Sequence, residues 1–398
     1  MERIILHIDM DYFFAQIEER ENPQFKGKSI VVGADPKEGK GRGVVSTASY
    51  EARKYGIHSA MPISKAYQLC PKAIFLPVNM ELYQKVSENI MEIVKKYLPR
   101  SIPSESEGLL RGSPAFEQVS LDEAYLDLSF LKSYSKTEAL ATKLKNEILE
   151  KEKLTATVGI GPNKLIAKMA SGKGKPNGLL IIKPNQVKSF LEPLDIEDLP
   201  GIGPKTAEKL RVSGVNKIKE LKRLSKSRLK EMFGIVGETI YERARGVDER
   251  PFISTLRFAR VIDEEPVSSE EIIKSIGKQI TFEKDTRDSE IIFGNFEKMI
   301  KEVHDELKEN NFSFKTITVI CRFQGFETHT KSKTLYTSFP KARVGLGPNF
   351  SQKFGHRALK NPTQDLGVLK KEAKKLLLRF MIENPKLIRL IGLRVKIC

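Results

Sequence analysis

Apolar residues along this chain follow two different periods, and the shorter one predicts strands. Residues 4–8 are apolar except for His7, and such a run is typical of a buried strand. Between residues 116 and 128, apolar and polar positions alternate on either side of a polar bend, which predicts a β-hairpin. Short runs at 29–32, 44–47 and 155–160 predict further strands.

The longer period is that of helices. Apolar residues three and four positions apart over 86–97, 136–153 and 297–308 predict amphipathic helices. In the first part of the chain the order is strand, helix, two antiparallel strands, helix and strand, which is that of a split βαβ unit in an α+β sheet. Near the C-terminus, alternation returns at 316–323 and 388–397 and predicts a second sheet.

Composition adds a class of partner to this picture. The chain has 398 residues and is 40% hydrophobic, which is enough for roughly two to four domains with their own cores. The net charge is +17, and residues 315–398 alone contain 18 Lys and Arg against 4 Asp and Glu. Solubility can account for a basic surface, but concentration at one end of the chain favours a polyanionic partner.

Cysteine content and the lengths of apolar runs exclude several classes. Three widely spaced cysteines, Cys70, Cys321 and Cys398, argue against a disulfide framework and against a zinc site. No signal peptide and no apolar run of membrane-spanning length is recognisable. We therefore expect a cytoplasmic protein that does not enter a membrane.

Two acidic clusters carry the candidate chemistry. Asp9 and Asp11 lie between the first strand and a helix that begins near Tyr12, and Asp122 and Glu123 lie at the hairpin bend. A carboxylate at a strand end, beside the free N–H groups of a helix, can hold a divalent cation and a phosphate together. The same acids could equally cap a helix or face solvent in a turn, and the residues alone leave both interpretations open.

Four motifs, in this order, resemble those of a known family. They are D-M-D-Y-F-F-A at 9–15, Y-E-A-R-K-Y-G at 50–56, S-L-D-E-A-Y-L-D at 120–127 and V-G-I-G-P-N-K at 158–164. The chain resembles a Y-family (translesion) DNA polymerase of the DNA polymerase IV, or DinB, type. The resemblance extends from Ile4 to about Val395.

The resemblance implies a right-hand polymerase, an α+β multidomain fold. A split βαβ palm is expected at 1–21 and 81–171, with small α/β fingers at 22–80. A helical thumb with a helix–hairpin–helix is expected at 172–246, a linker at 247–273 and an α+β little finger at 274–398. The linker and the segments 98–115 and 336–363 are longer than the family pattern leads us to expect.

The resemblance also implies a reaction and its residues. A primer 3′-hydroxyl attacks the α-phosphate of a deoxynucleoside triphosphate, with two Mg²⁺ ions as cofactors. Asp9 and Asp122 would contact both ions, the Met10 carbonyl would assist on the nucleotide side, and Glu123 would complete the primer-side ion. The residues implied to bind the nucleotide are Phe13, Phe14, Tyr50, Arg53 and Lys164.

Two of these residues have further reasons or alternatives. Phe14 aligns with the steric gate, an aromatic ring that excludes a ribose 2′-hydroxyl, although it could also be a core residue of the first helix. Lys164 begins a helix, where a cation is poorly placed relative to the helix dipole, so an anionic partner explains it better.

The expected roof over the new base pair, Val44, Ser46 and Ala60, is made of small side chains, which suits low fidelity.

DNA contacts are expected in two places. The segment L-P-G-I-G-P-K-T-A-E-K-L at 199–210 has a helix–hairpin–helix signature, in which backbone N–H groups cradle a phosphate. A second copy at 233–238 is as well explained by a plain helix turn. Polar strand 327–334 and the last strand supply further cations. The DNA-binding candidates are Gly201, Gly203, Lys205, Thr206, Lys331, Lys333 and Arg394.

The expected function is template-directed, low-fidelity translesion synthesis without proofreading, by a monomer in the nucleoid. Its partners would be primer–template DNA, deoxynucleoside triphosphates and a sliding clamp. The family often recruits the clamp through a C-terminal peptide beginning with Gln, and the chain ends at Cys398 without one. A nucleotide cyclase would not need the hairpin module, and a non-catalytic DNA-binding scaffold would not need the acids. A single-nucleotide transferase shares the chemistry and stays open as the alternative.

Overall fold

A computed structural model describes residues 3–98, 116–252, 274–335 and 363–397. The chain divides into two compact units, 1–269 and 270–398. The predicted palm, fingers and thumb fall in the first unit, and nearly all of the predicted little finger falls in the second. Almost all of the two predicted insertions and most of the predicted linker lie outside the described residues.

Strands and helices alternate in the first half of the first unit, and its last part is helical. In chain order the elements are β1 (Ile5–Met10), α1 (Phe13–Glu21), β2 (Ile30–Gly33), β3 (Val45–Ala48), α2 (Tyr50–Arg53), α3 (Ile63–Leu69), β4 (Ile74–Leu76), α4 (Met80–Lys95), β5 (Phe116–Gln118), β6 (Glu123–Asp127), α5 (Tyr134–Glu152), β7 (Ala156–Gly161), α6 (Lys164–Gly174), β8 (Leu179–Ile181), α7 (Val187–Leu191), α8 (Pro204–Val212), α9 (Ile218–Leu221), α10 (Lys226–Phe233) and α11 (Ile235–Ala244).

The second unit has a simpler order. Its elements are β9 (Ser275–Thr286), α12 (Ser289–Glu309), β10 (Phe314–Phe323), β11 (Thr328–Thr334), α13 (Leu366–Glu383) and β12 (Ile388–Ile397).

The main sheet of the first unit has the order β5-β6-β1-β7-β8, with β1 in the centre and antiparallel to both neighbours. All six residues of β1 are buried, since helices pack on both faces of the sheet. Leu6 and Ile8 point into the core that α1, α4 and α5 help to form. Side chains alternate along a strand, so His7 and Asp9 point to the other face, which α6 covers.

A three-stranded sheet, β3-β2-β4, and the helices α2 and α3 form the segment predicted as fingers. Helix α2 follows β3 directly, and it begins there because the Ser49 side chain accepts a hydrogen bond from the Ala52 N–H. The helices α7 to α11, in the segment predicted as thumb, form an apolar core together with one face of α6. The fold is thus the predicted α+β multidomain architecture.

In the second unit, the antiparallel sheet β11-β10-β12-β9 packs one face against α12 and α13. The side chains of Ile317, Val319 and Cys321 in β10 point into this core. Because side chains alternate, Thr316, Thr318 and the residues opposite them belong to the other face. Among the described residues of both units, no helix is long and apolar enough to span a membrane.

Close packing of α6 on β7 depends on a glycine. A Cβ atom at Gly159 would lie 2.0 Å from the Ala167 carbonyl oxygen and 2.3 Å from the Ser171 nitrogen. Both atoms belong to the backbone of α6, which could not move away without separating the helix from the sheet. Gly159 therefore sets how deeply α6 lies against the sheet.

We predict that Gly159→Ala destabilises the first unit by at least about 2 kcal/mol, because the added methyl group forces the helix and the strand apart. Denaturant unfolding would measure the change. Gly172→Ala is the matched control in α6, since a Cβ there meets nothing within 4 Å. The control should be neutral or stabilise by about 0.5 kcal/mol. Equal stability of the two variants would contradict the prediction.

Candidate active site

The backbone brings the three predicted acids together. In the sheet register Asp9 of β1 lies opposite Glu123 of β6. The Met10 N–H donates to the Asp122 carbonyl oxygen at 2.9 Å. Residues opposite each other in an antiparallel pair have Cα atoms about 4.5–5.5 Å apart, so these carboxylates share one edge of the sheet.

The hairpin bend is fixed by short hydrogen bonds. The N–H groups of Val119 and Ser120 both donate to the Glu123 carbonyl oxygen, at 2.9 and 3.3 Å. The Ser120 hydroxyl donates to Asp122 Oδ1 at 2.6 Å. The Ser87 hydroxyl, from α4, donates to the Leu121 carbonyl oxygen at 2.5 Å. The bend that carries Asp122 is therefore held from both sides.

Two lysines that the sequence analysis did not select lie against the acids. Lys175 Nζ is 2.5 Å from Asp9 Oδ1, and Lys168 Nζ is 2.6 Å from Glu123 Oε2. Lys168 lies one turn after Lys164 in α6, so helical spacing could have drawn attention to it. Lys175 follows the end of α6 in a Gly-Lys-Pro-Asn-Gly turn, where no periodicity marks a residue.

The acids differ in their proton affinity. Burial raises the pKa of Asp9 to about 7, although Lys175 opposes this, and the charges of Glu123 and Asp122 add to it. Burial also raises the pKa of Asp122, against the hydrogen bond from Ser120. Burial would raise the pKa of Glu123 too, but the Lys168 ammonium outweighs it and holds that pKa below its ordinary value.

His7 lies beneath Glu123 and is completely buried. Its Nδ1 is 2.7 Å from the Ser171 hydroxyl, which itself donates to the Lys168 carbonyl oxygen, so Nδ1 carries the proton. Its Nε2 lies 3.9 Å from Glu123 Oε2, beyond hydrogen-bond length. Burial lowers the pKa of His7, so the ring is neutral near pH 7.

The acid cluster has the donor atoms of a magnesium site. Three carboxylates offer hard oxygen ligands, and the raised pKa of Asp9 shows negative charge that the protein compensates only in part. The ammonium groups of Lys175 and Lys168 pair with Asp9 and Glu123, as metal cations would. Within the described part of the chain, no three His, Cys, Asp or Glu side chains are arranged to share one ion. The residues fit divalent ions if Asp9 and Glu123 rotate away from their lysines.

Phe14, the predicted steric gate, lies half-buried on α1, and its ring stacks on Tyr83 with centroids 4.2 Å apart and planes 14° apart. The Tyr83 hydroxyl donates to Glu18 at 2.6 Å, so the supporting ring is itself fixed. Phe13, in contrast, is 2% exposed and belongs to the palm core. Phe13 could therefore contact a nucleotide only through its backbone.

Tyr50 and Arg53 lie together on α2, as their spacing predicts. The Arg53 guanidinium carbon is 5.1 Å from the centre of the Tyr50 ring, and Arg53 Nε donates to the Ala48 carbonyl oxygen. The Tyr50 ring meets Tyr12 edge-on at 4.8 Å. The Tyr50 hydroxyl lies 3.4 Å from Asp11 Oδ1, at the end of β1. This pair therefore adjoins the acid cluster.

Lys164, in contrast, does not lie beside the acid cluster. Only 2% of its surface is exposed, and its ammonium pairs with Glu117 and donates to the Pro251 carbonyl oxygen. The Nζ atom also lies 4.4 Å from the centre of the Phe252 ring. The expected anionic partner exists, but it is a carboxylate of β5 rather than a phosphate. The structure thus gives Lys164 a structural role and places Lys175, not Lys164, beside the acids.

The predicted hairpin of the thumb segment has the expected backbone. Gly201 has a φ of +97°, which L side chains rarely adopt, and Gly203 precedes α8. Lys205 and Thr206 lie in the first turn of that helix. The backbone N–H groups at such a helix start can bind a phosphate.

In the second unit the predicted DNA contacts separate onto two faces of the sheet. Lys331 and Lys333 lie opposite Val319 and Ile317, so they share the face that the helices cover. Lys331 pairs with Glu383 of α13. Arg394 lies opposite Thr318 and is exposed on the other face. The three cations predicted to contact DNA therefore do not form one flat patch.

Comparison with known families covers most of the chain. Residues 8–172 match the impB/mucB/samB family, and residues 273–396 match the C-terminal domain of the same family. Residues 197–248 match the thumb domain of DNA polymerase iota. The chain therefore belongs to the impB/mucB/samB family, the Y-family DNA polymerases.

Individual relatives narrow the type within this family. DNA polymerase IV 2 of Methanosarcina mazei is 43% identical over 84% of this chain and 82% of its own length. DNA polymerase IV of Methanoculleus marisnigri is 39% identical over 99% of this chain and 94% of its own length. A solved Y-family chimera of Dbh and Dpo4 has a TM-score of 0.75 at 32% identity, covering 99% of this chain and 98% of the chimera. The chain is thus a DinB-type, DNA-directed DNA polymerase.

We predict that Asp9→Asn stabilises the metal-free protein above neutral pH. The pKa of Asp9 is about 7 in the folded state against 3.8 ordinarily, so its ionisation disfavours folding as pH rises through this range. The gain in unfolding free energy should be about 2–4 kcal/mol at pH 8 and nearly zero at pH 4.

Denaturant unfolding in the presence of a chelator would measure this. When magnesium replaces the chelator, it should stabilise the wild type and have little effect on Asp9→Asn. A variant less stable than the wild type at pH 8 would show that Asp9 is not a strained carboxylate.

Proposed function

We propose that this polymerase adds deoxynucleotides to a primer 3′ end at low fidelity, opposite damaged as well as undamaged template bases, with two Mg²⁺ ions and without proofreading. The observation that carries the proposal is the convergence of Asp9, Asp122 and Glu123 at one sheet edge, beside the ammonium groups of Lys168 and Lys175. Family membership implies dependence on divalent metal ions.

Each acid would have its own part in this reaction. Asp9, near the end of β1, and Asp122, in the bend before β6, would hold both ions, and the Met10 carbonyl would assist at the nucleotide. Glu123 would serve the primer side. Bound ions would neutralise phosphate charge and activate the primer hydroxyl. The protein would hold the attacking and leaving groups in line, since the hairpin bend fixes the backbone of Asp122 and Glu123.

The triphosphate would lie between α2 and the turn after α6. Tyr50 and Arg53 adjoin the acids from one side, and a guanidinium suits two phosphate oxygens at once. Lys175 adjoins them from the other side with a partly exposed side chain. We therefore assign to Lys175 the phosphate contact that the sequence motif led us to expect of Lys164.

Low fidelity would follow from a small roof over the new base pair. Val44 is 49% exposed although it is apolar, which suits contact with a base. Ser46 and Ala60 are small, and a roof of small groups presses weakly on a misshapen pair.

DNA would be held by backbone donors and by cations. The start of α8 offers N–H groups to a phosphate, and Lys205 and Thr206 are close by. In the second unit, the exposed Arg394 belongs to a sheet face that also carries the hydroxyls of Thr318 and Ser332. Such groups bind the phosphate backbone without reading bases, as a translesion enzyme requires.

A single-nucleotide transferase is the remaining alternative, because it would use the same acids. Primer extension on templates with each of the four bases separates the two functions. A polymerase inserts the complementary nucleotide each time and continues past it, including past an abasic site. Insertion of one nucleotide regardless of the template base would favour the transferase.

We predict that Asp122→Ala lowers magnesium-dependent primer extension by about 10³-fold or more, because a carboxylate that stabilises transition-state charge is lost. Single-turnover extension would measure the rate. Asp127→Asn is the control, since Asp127 is also buried but lies at the other end of β6. It should keep extension within a few-fold. Extension at the wild-type rate by folded Asp122→Ala would exclude the proposed site.

We predict that Phe14→Ala raises ribonucleotide incorporation relative to deoxynucleotide incorporation about a hundredfold, because the ring that blocks the 2′-hydroxyl is removed. Competition between the two sugars at one template position would measure the ratio. Phe13→Leu is the control: it alters the buried neighbour and should lower stability without changing sugar selection. A similar ratio in both variants would remove Phe14 as the gate.

A further inference from the structure

The turn that carries Lys175 is short and tightly built. It connects the end of α6 to β8, and a Cβ atom at Gly178 would lie 2.0 Å from the Gly174 carbonyl oxygen. Asn177 has a φ of +50°, a left-handed conformation that Asn tolerates better than most residues. Lys175 has no support of its own from a helix or strand, so its position depends on how this turn is held.

The peptide groups of Asn177 are held from two sides. The Asn177 N–H donates to Asp11 Oδ2 at 2.9 Å. Its carbonyl oxygen accepts from Lys145 Nζ, on α5, at 2.6 Å. The same ammonium also donates to the Gly178 carbonyl oxygen at 2.8 Å. One carboxylate and one ammonium thus clamp the turn directly after Lys175.

Asp11 is fully buried and has no free acceptor site for a metal ion. Besides the Asn177 N–H, its carboxylate accepts the hydroxyls of Thr155 and Thr157, both at 2.7 Å. The Tyr50 hydroxyl approaches at 3.4 Å. Thr155 and Thr157 flank the start of β7, which anchors Asp11 to the sheet. Asp11 is therefore committed to protein donors, although it is only two positions from Asp9.

The Lys145 side chain is more exposed than that of Asp11, and the two groups interact through their charges. Burial lowers the pKa of Lys145, and the negative charge of Asp11 opposes that change. The clamp therefore consists of opposite charges acting on one backbone segment. Neither group contacts Asp9, Asp122 or Glu123 through a hydrogen bond in the described structure.

We propose that Asp11 and Lys145 are positioning residues that hold the Asn177 peptide and thereby place the Lys175 ammonium at the nucleotide site. The inference rests on the proposed function, because it takes Lys175 as a phosphate contact. Without the clamp the turn can move, and the ammonium is no longer fixed where the triphosphate enters. The cost appears mainly in nucleotide binding, since the metal-binding carboxylates stay in the sheet.

The test measures steady-state primer extension by Asp11→Ala, Asp11→Asn and Lys145→Met. Asp11→Ala and Lys145→Met should each raise KM for the incoming nucleotide about tenfold, lower kcat less than that, and leave primer–template affinity unchanged. Asp11→Asn should stay within about threefold of wild-type KM. Its amide oxygen can accept from Asn177 and Thr155 while its NH₂ donates to Thr157.

A double variant tests whether the two residues act through the same peptide. If they do, Asp11→Ala combined with Lys145→Met raises KM by clearly less than the product of the single effects. Additive effects would contradict a shared clamp. Hydrogen exchange of the peptide containing Asn177 adds a readout without catalysis, and it should accelerate at least tenfold in Asp11→Ala.

Two controls distinguish positioning from general destabilisation. Asp127→Ala removes another buried carboxylate that accepts hydrogen bonds, from Ser129, and should lower stability without changing KM or exchange at Asn177. Lys143→Met, two positions before Lys145 and exposed, should change neither. If Asp11→Ala fails to fold, Lys145→Met carries the same test through KM and through exchange at Asn177.

The outcomes separate this inference from the proposed function. Absence of primer extension by the wild type would overturn the proposed function. Normal wild-type extension with unchanged KM in Asp11→Ala and Lys145→Met would overturn only the positioning role, whether or not exchange at Asn177 accelerates.

Discussion

Partial burial of three carboxylates at one sheet edge is the constraint on which this structure depends. Buried like charges are costly unless cations compensate them, and here the compensation comes from Lys168 in α6 and Lys175 in the turn that follows. Both ammoniums reach the acids only because α6 lies close against β7. The helix, the glycine that admits it and the turn after it are therefore parts of one electrostatic arrangement.

The acids differ in how their charge is stabilised: Asp11 is held by fixed hydrogen bonds, whereas Asp9 can exchange its partner. Asp11 is saturated by hydroxyl and amide donors that belong to the fold, so its charge is neutralised locally. Asp9 instead depends on a single flexible ammonium, and its pKa is raised first by burial and then by the repulsion of Glu123 and Asp122. An incoming cation relieves that repulsion without breaking any backbone contact. Asp11 therefore contributes to the stability of the fold, whereas Asp9 keeps an unfavourable charge that a bound cation can stabilise.

The sequence predicted those features that depend on local pattern. Alternation around Asp122 and Glu123 indicated the hairpin, and the run before Asp9 indicated a buried strand, because the period of a strand can be recognised in a short segment. The partner of Lys164 was not predictable in this way, since Glu117 and Pro251 are distant in sequence and meet it only in the folded chain. Likewise, the sequence suggested Lys331 and Arg394 together as DNA-binding candidates, and only the strand pairing shows that they lie on opposite faces of the sheet.

Lys164 and Lys175 show that a sequence motif and the folded geometry can point to different residues. Both are lysines at an end of α6, and a phosphate could be drawn to either on charge alone. At the N-terminal end, the dipole disfavours a cation, and the protein stabilises Lys164 with a buried carboxylate and a carbonyl oxygen. At the C-terminal end, the dipole favours one, and Lys175 keeps a partly exposed ammonium beside carboxylates that a metal can claim. Only the second lysine is free to exchange its partner, and exchange of partners is what binding a triphosphate requires.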